Sequence, residues 1–146
     1  MTAPKLWIVL ARCHHSLTLL VERDIAGLGL CLSDFMVLEA LLHKGPLTIS
    51  EIQSKVLLAS GSMTAAVDRV ESRGLAVRKP IAGDRRARRI ELTRAGRQLI
   101  EGAFRQHALH LEEAMAPLNE HEKAQVYDGL KKLGRSVAAQ LGNSEI

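Results

Sequence analysis

Aromatic residues are scarce in this chain: one Trp, one Tyr and two Phe among 146 residues. A core without aromatic bulk must be filled by Leu, Val, Ile, Ala and Met, which suits helices packed on helices. Cysteine is equally sparse, and Cys13 and Cys31 alone make no disulfide framework, so a reducing cytoplasm is the expected setting. The two thiols are expected to be buried and to behave as small hydrophobes. No apolar run approaches the ~18 residues that a membrane span needs. The apolar patch near the start follows a single lysine and is broken by Arg12, His14 and His15, which argues against a signal peptide and predicts no membrane partner. Also missing are a Gly-rich phosphate loop, a His-Glu-x-x-His pair, a nucleophile elbow and paired carboxylates. Adjacent His14 and His15 would point about 100° apart on a helix and form no catalytic pair. The reading is therefore not an enzyme, with no catalytic residue, no metal and no cofactor. His107 and His110, with Glu112 and Glu113 nearby, share a helix face but complete no tetrahedral metal site, and are read as surface histidines.

What the chain does have is positive charge in one place. Residues 78–97 hold eight basic and two acidic side chains, a local charge of +6. The chain as a whole carries +4, so the remainder carries −2. Such a patch on a mildly acidic body points to a polyanion. Its centre is GDRRARRIEL at 83–92, where Arg85, Arg86, Arg88 and Arg89 crowd together beside Asp84.

Apolar spacing predicts a helix over 5–26 and a second from about Ser33 to the stop at Gly45-Pro46. Thr48 and Glu51 form a capping-box pattern opening a short helix to about Val56. Ser60-Gly61-Ser62 opens another, with Met63, Ala66, Val67 and Val70 on one side, closed by Gly74. Two strands, Ala76–Pro80 and Arg89–Leu92, are expected around a basic loop at 82–88. Thr93 caps a long helix from Arg94 to about Met115. Pro117 ends it, and Asn119–Glu122 caps a last helix with an apolar stripe at Val126, Leu130, Leu133, Val137 and Leu141.

The pair 48–56 and 60–73 has the proportions of a helix-turn-helix, whose second helix enters the major groove N-terminus first. Its small hydroxyl residues let backbone approach phosphate, and the helix N-terminus itself favours phosphate. Serine and threonine bond several base edges, and a threonine methyl meets that of thymine. Asp68 and Arg69, two turns in, are within reach of base edges or of each other. Arginine suits phosphate and a narrow minor groove. Asp84 is read as an internal partner that shapes the loop, pairing with Arg86.

The stretch Gly83-Asp84-Arg85-Arg86, continuing to Ile90-Glu91-Leu92-Thr93-Arg94-Ala95-Gly96, resembles the wing signature of the MarR family of transcriptional regulators, Asp-x-Arg then Leu-Thr-x-x-Gly. Leu58-Ala59-Ser60-Gly61-Ser62-Met63-Thr64, with Val70-Glu71-Ser72-Arg73-Gly74-Leu75, is similar to that family's recognition helix, and the resemblance covers essentially the whole chain. It implies a mainly α fold with a small β-hairpin: a winged helix-turn-helix lobe over 30–92, flanked by long dimerisation helices at 4–28 and 93–146. It implies a homodimer on a double-stranded DNA operator, usually as a repressor. Ser60, Ser62, Thr64, Ala65 and Arg69 match the DNA-facing side of the recognition helix. Asp84 and Arg86 match the wing motif, which leaves Arg85 and Arg88 for phosphate or water. The terminal apolar helices argue separately for a dimer, since one chain of this size leaves little to cover both stripes.

Family members often release DNA when a small molecule, often an aromatic acid or phenol, binds between the dimer helices and the DNA-binding lobe. Arg12, His14, His15 and Thr18, facing Phe35 and Met36, are the expected lining. Two alternatives stay open. A peroxide-sensing subclass uses a first-helix cysteine supported by tyrosines; Cys13 lies in that helix, but about a turn and a half early, and the sole tyrosine is Tyr127. A non-specific architectural DNA-binding protein would also account for the basic loop.

Overall fold

The computed structural model describes residues 1–56 and 61–142. Eight elements follow one another: α1 (Ala3–Ala26), α2 (Leu32–Lys44), α3 (Ile49–Lys55), α4 (Met63–Ser72), β1 (Ala76–Ile81), β2 (Asp84–Leu92), α5 (Arg94–Met115) and α6 (Glu120–Gln140). They fall into two compact units, Met1–Ala108 and Leu109–Ile146, with α5 running from the first into the second.

In the first unit the core is aliphatic around one aromatic ring. Phe35, Val37, Leu38 and Leu41 of α2, Ile52 of α3, Ala66, Val67 and Val70 of α4, Ile90 of β2 and Ile100 of α5 are fully buried. Burying each larger side chain contributes about 1.5–3 kcal/mol. The α2 stripe at 34, 35, 37, 38 and 41 is the helical period read from sequence, and it is the platform for α3 and α4.

Each helix start has a chemical reason. Thr48 accepts the N–H of Glu51 at 3.2 Å while Glu51 accepts that of Thr48 at 2.7 Å, the expected capping box. The start of α2 lies upstream of the expected Ser33. Cys31 is the cap, and Asp34 returns a bond to its N–H at 3.3 Å. Ser62 caps α4 through the N–H of Ala65 at 3.2 Å.

The hairpin departs from expectation. Its turn is only Ala82-Gly83, with Gly83 at φ +85°, and β2 already begins at Asp84. Ala76 to Pro80 pair with Leu92 to Arg88 in regular antiparallel register, and Ile81 then pairs with Asp84. Arg85, Arg86 and Ala87 are thus the surplus residues of an irregularity in β2, not members of a wide loop. Leu47 adds a further rung, exchanging backbone bonds with Ile90 at 3.1 and 2.7 Å.

The second unit is a helical hairpin. Asn119 and Glu122 cap α6 reciprocally, at 3.0 and 2.9 Å, as the sequence predicts. Lys123 pairs with Glu120 at 3.0 Å and with Glu112 across the hairpin at 3.6 Å. Val126, Tyr127, Leu130, Leu133 and Val137 are exposed on α6, as is its C-cap, Leu141. In the first unit, Leu6, Trp7, Ile8, Val9 and Leu19 are exposed on α1. No helix among the described residues is long and apolar enough to cross a membrane.

Candidate nucleic-acid interface

The second helix of the pair, α4, buries Met63, Ala66, Val67 and Val70 and turns Thr64 and Asp68 to solvent, with Ala65 half-buried. Ser62 and Gly61, exposed, lead into it, and Gly61 has φ +101°. Its N-terminal turn is therefore an accessible rim of small residues. Ser60, also expected there, lies outside the described residues.

Further along, α4 is tied back to the protein by charge. Arg69 does not project freely: its Nη2 lies 2.7 Å from Oδ1 of buried Asp34. Asp68 pairs with Arg78 of β1 at 2.5 Å, and Glu71 meets the same guanidinium at 3.0 Å. Asp68 and Arg69, placed within reach of base edges or of each other, instead have separate partners on different elements. Arg73 donates to the carbonyls of Gly29 and Leu28, each at 2.9 Å.

The wing follows from one carboxylate. Asp84 Oδ1 accepts the backbone N–H of Arg86 at 2.9 Å and of Ala87 at 3.1 Å. Those two bonds, in that order, with the nearby charge of Arg88, hold its carboxyl below the ordinary aspartate range. Asp84 thus engages Arg86 through its backbone, where a side-chain ion pair was expected. Among the described residues no carboxylate pairs with the guanidinium of Arg85 or Arg86. Arg88 folds back onto the carbonyls of Arg85 and Ala87, both at 3.0 Å. Lys79 is neutralised by Glu91 at 2.7 Å. At the tip of the wing Arg85 and Arg86 are exposed on a turn held by hydrogen bonds to Asp84 and from Arg88, and Arg88 is exposed beside them.

The base of the wing explains Leu-Thr-x-x-Gly. Thr93 Oγ1 donates to the carbonyl of Gly74 at 2.6 Å and accepts the N–H of Gly96 at 3.0 Å. Its own N–H reaches the Leu75 carbonyl at 3.1 Å. Gly96 lies so close that a Cβ there would sit 1.8 Å from the Leu75 oxygen. One threonine therefore caps α5 and fastens it to the end of α4.

The expected effector lining is spread between surface and core. Arg12, His14 and His15 are exposed on α1, and Thr18 bonds the His14 carbonyl at 3.0 Å. Phe35 is wholly buried and Met36 half-buried against the core. Sequence reasoning missed a polar cluster beside Phe35. His107, read as a surface histidine, is only 7% exposed. Its Nδ1 lies 3.0 Å from Oδ2 of Asp24, and its ring meets Phe35 edge-on at 5.7 Å. Burial raises the pKa of nearby Glu39, opposed by the charges of His43 and then His107. The spacing of His107, seven residues from buried Ile100 on the same helix, is the sequence signal that it faces inward. Both cysteines were expected to be buried, and both are exposed. Cys31 is drawn to the surface by its place as the α2 cap, with Sγ 3.4 Å from Arg69 Nη2.

A family model described as the MarR family matches residues 30–87, the helix pair and the wing up to its bulge. The chain is 38% identical over 130 residues to the HTH-type transcriptional regulator MhqR of Bacillus subtilis, covering 89% of this chain and 90% of that one. Among solved structures, the organohalide-sensing regulator RdhR-CbdbA1625 bound to 2,4-dichlorophenol superposes with TM-score 0.79 at 23% identity, covering 93% of this chain and 80% of that one. Bordetella bronchiseptica BpsR, whose DNA binding is regulated by 6-hydroxynicotinic acid, superposes with TM-score 0.76 at 22% identity, covering 89% and 98%.

Proposed function

Because the chain belongs to the MarR family of winged-helix transcriptional regulators, we propose that it is a homodimeric, cytoplasmic repressor that binds a pseudo-palindromic operator and leaves it when a small phenolic or aromatic ligand binds. The observation that carries the DNA-binding reading is the division of labour among the arginines. Arg69, Arg73 and Arg78 are bonded within the protein, whereas Arg85 and Arg86 stand at the wing tip without a carboxylate partner among the described residues. In this reading Arg86 enters the minor groove while Arg85 and Arg88 meet phosphate. Ser62, Thr64 and Ala65, with Ser60, face the major groove.

Dimerisation is supported by the apolar residues left in water on α1 and on α6, Trp7 among them at 66% exposure. Patches of this kind mark protein interfaces. The ligand class is supported by the two structural neighbours, one bound to 2,4-dichlorophenol and the other regulated by 6-hydroxynicotinic acid, both hydroxylated aromatic rings. Arg12, His14, His15, Thr18, Phe35 and Met36 remain the proposed contacts. The experiment is selection of a binding site from random duplexes, followed by thermal-shift and release assays with simple phenols and aromatic acids. Failure to enrich any sequence contradicts the regulator; enrichment without release contradicts the ligand class only.

A second reading, thiol-based sensing, is favoured by the exposure of Cys13 and Cys31. Mild oxidation that abolishes DNA binding in the wild type, but not in Cys13→Ser or Cys31→Ser, would establish it.

A further inference from the structure

Arg69 lies near the end of α4; its side chain is 47% exposed, and its guanidinium reaches across to α2. Its Nε lies 2.9 Å and its Nη2 2.7 Å from the same oxygen of Asp34. The Nη2 also reaches Ser33 Oγ at 3.3 Å. Asp34 is 4% exposed, and its other oxygen accepts the Cys31 N–H at 3.3 Å. A buried carboxylate is tolerated when a cation and hydrogen bonds satisfy both oxygens. Asp34 is therefore committed on both sides, to the first turn of α2 and to the last turns of α4.

This link has leverage on the other end of the helix. From Arg69 to Met63 is six residues, about 9 Å at ~1.5 Å per residue. A tilt of about 10° at Arg69 moves the N-terminal turn by roughly 1.5 Å, enough to break hydrogen bonds to base edges, whose lengths vary by only a few tenths of an ångström. Attraction to phosphates acts over about 10 Å at ordinary salt and survives such a tilt. The consequence is specific: losing the link should cost sequence discrimination, not general DNA affinity.

We propose that Asp34 is a positioning residue for sequence reading, which sets the angle of α4 through Arg69, and that Arg69 is not a phosphate contact. The inference rests on the DNA-binding function proposed above. It assigns to an ion pair between α2 and α4 the role that position alone would give to a DNA-facing arginine.

The test uses the full chain and two duplexes, one selected from a random library by the wild type and one with its sequence scrambled. Affinities of the wild type, Asp34→Asn, Arg69→Gln and the double variant are measured across a salt series. Each single variant is expected to lose roughly tenfold or more of its preference for the selected duplex, while scrambled-duplex affinity changes by less than about threefold. Salt slopes stay at the wild-type value, and the double variant is no worse than the weaker single one, because both break one link. Equal weakening on both duplexes by Arg69→Gln, with the slope falling by about one, would make Arg69 a phosphate contact and overturn the proposal. So would unchanged preference in Asp34→Asn, or additive losses in the double variant. Arg69→Gln leaves the α2 capping box intact, so its result stands even if Asp34→Asn does not fold. Unfolding of Arg69→Gln in a thermal melt would make the pair a stability element and also refute the proposal. A wild type with no preference for any duplex would refute the DNA-reading function itself.

Discussion

Replacing Gly96 by alanine places a methyl carbon 1.8 Å from the carbonyl oxygen of Leu75, 2.7 Å from its carbon and 3.1 Å from its Cα. All three are backbone atoms, so no side chain can swing aside. Ordinary contact needs roughly 3.4 Å or more, so α5 and the end of α4 must part by more than an ångström. The same separation pulls on Thr93, whose hydroxyl and N–H hold the carbonyls of Gly74 and Leu75 at 2.6 and 3.1 Å. Overpacking costs about 1–3 kcal/mol, and weakening two hydrogen bonds adds about 1–2 kcal/mol. Alanine's better helix propensity returns about 1 kcal/mol. The net loss is about 1–4 kcal/mol, or roughly 3–12 °C in melting temperature for a chain of this length. Gly102, on the same helix, is the control, since a Cβ there meets nothing within 4 Å. Gly102→Ala should raise the melting temperature by about 1–3 °C on propensity alone. Melts followed by helical circular dichroism compare the two. Gly96→Ala melting as high as Gly102→Ala would refute the view that this glycine is needed for close approach.

Arg86→Ala should weaken binding to a selected duplex more than Arg85→Ala, by roughly tenfold against threefold in fluorescence anisotropy; equal losses would reduce the wing to an undifferentiated basic patch. His107→Ala removes the 3.0 Å partner of Asp24 and the edge contact to Phe35. Calorimetry should show a loss of about 2–4 kcal/mol, and a loss below about 1 kcal/mol would contradict its reading as a core residue. Glu39 is held above its usual pKa chiefly by burial, so its ionised form costs stability above the folded pKa and that cost fades as pH falls through it. Glu39→Gln should therefore melt above the wild type near pH 7, with the gap closing as the pH approaches about 4.5; a gap that widens on acidification would reverse the sign of this argument.

What was legible in the sequence was local. The boxes Thr48/Glu51 and Asn119/Glu122 are pairs three residues apart whose chemistry is independent of tertiary contacts, and both caps form as read. The apolar periods of α2 and α4 likewise became the core. The cap at Cys31 was missed because cysteine is a rare capping residue, although Asp34 three positions on was a visible hint. The wing was read as a wide loop because basic residues in a run look solvated. What tightens it is a pair of short backbone bonds to Asp84, which no hydropathy pattern encodes. Leu47 contributes a single extended residue between Pro46 and the Thr48 cap, too short to show strand alternation. His107 with Asp24, 83 residues apart, and Arg69 with Asp34, 35 apart, became partners only once the helices had packed. The exposed rim at the start of α4 was legible from residue type, yet the partner of its arginine was not, because it lies on another helix.

The most direct measurement of the central claim is a salt titration of duplex binding, using a site selected by the protein itself and its scrambled counterpart. The account predicts an enriched pseudo-palindrome with half-sites about one helical turn, ~34 Å, apart. Its affinity should fall steeply with salt, each phosphate contact made contributing about 0.9 to the logarithmic slope. The Arg86→Ala variant should lose affinity for that site. An affinity nearly independent of salt, or a selection that enriches no sequence, would contradict it.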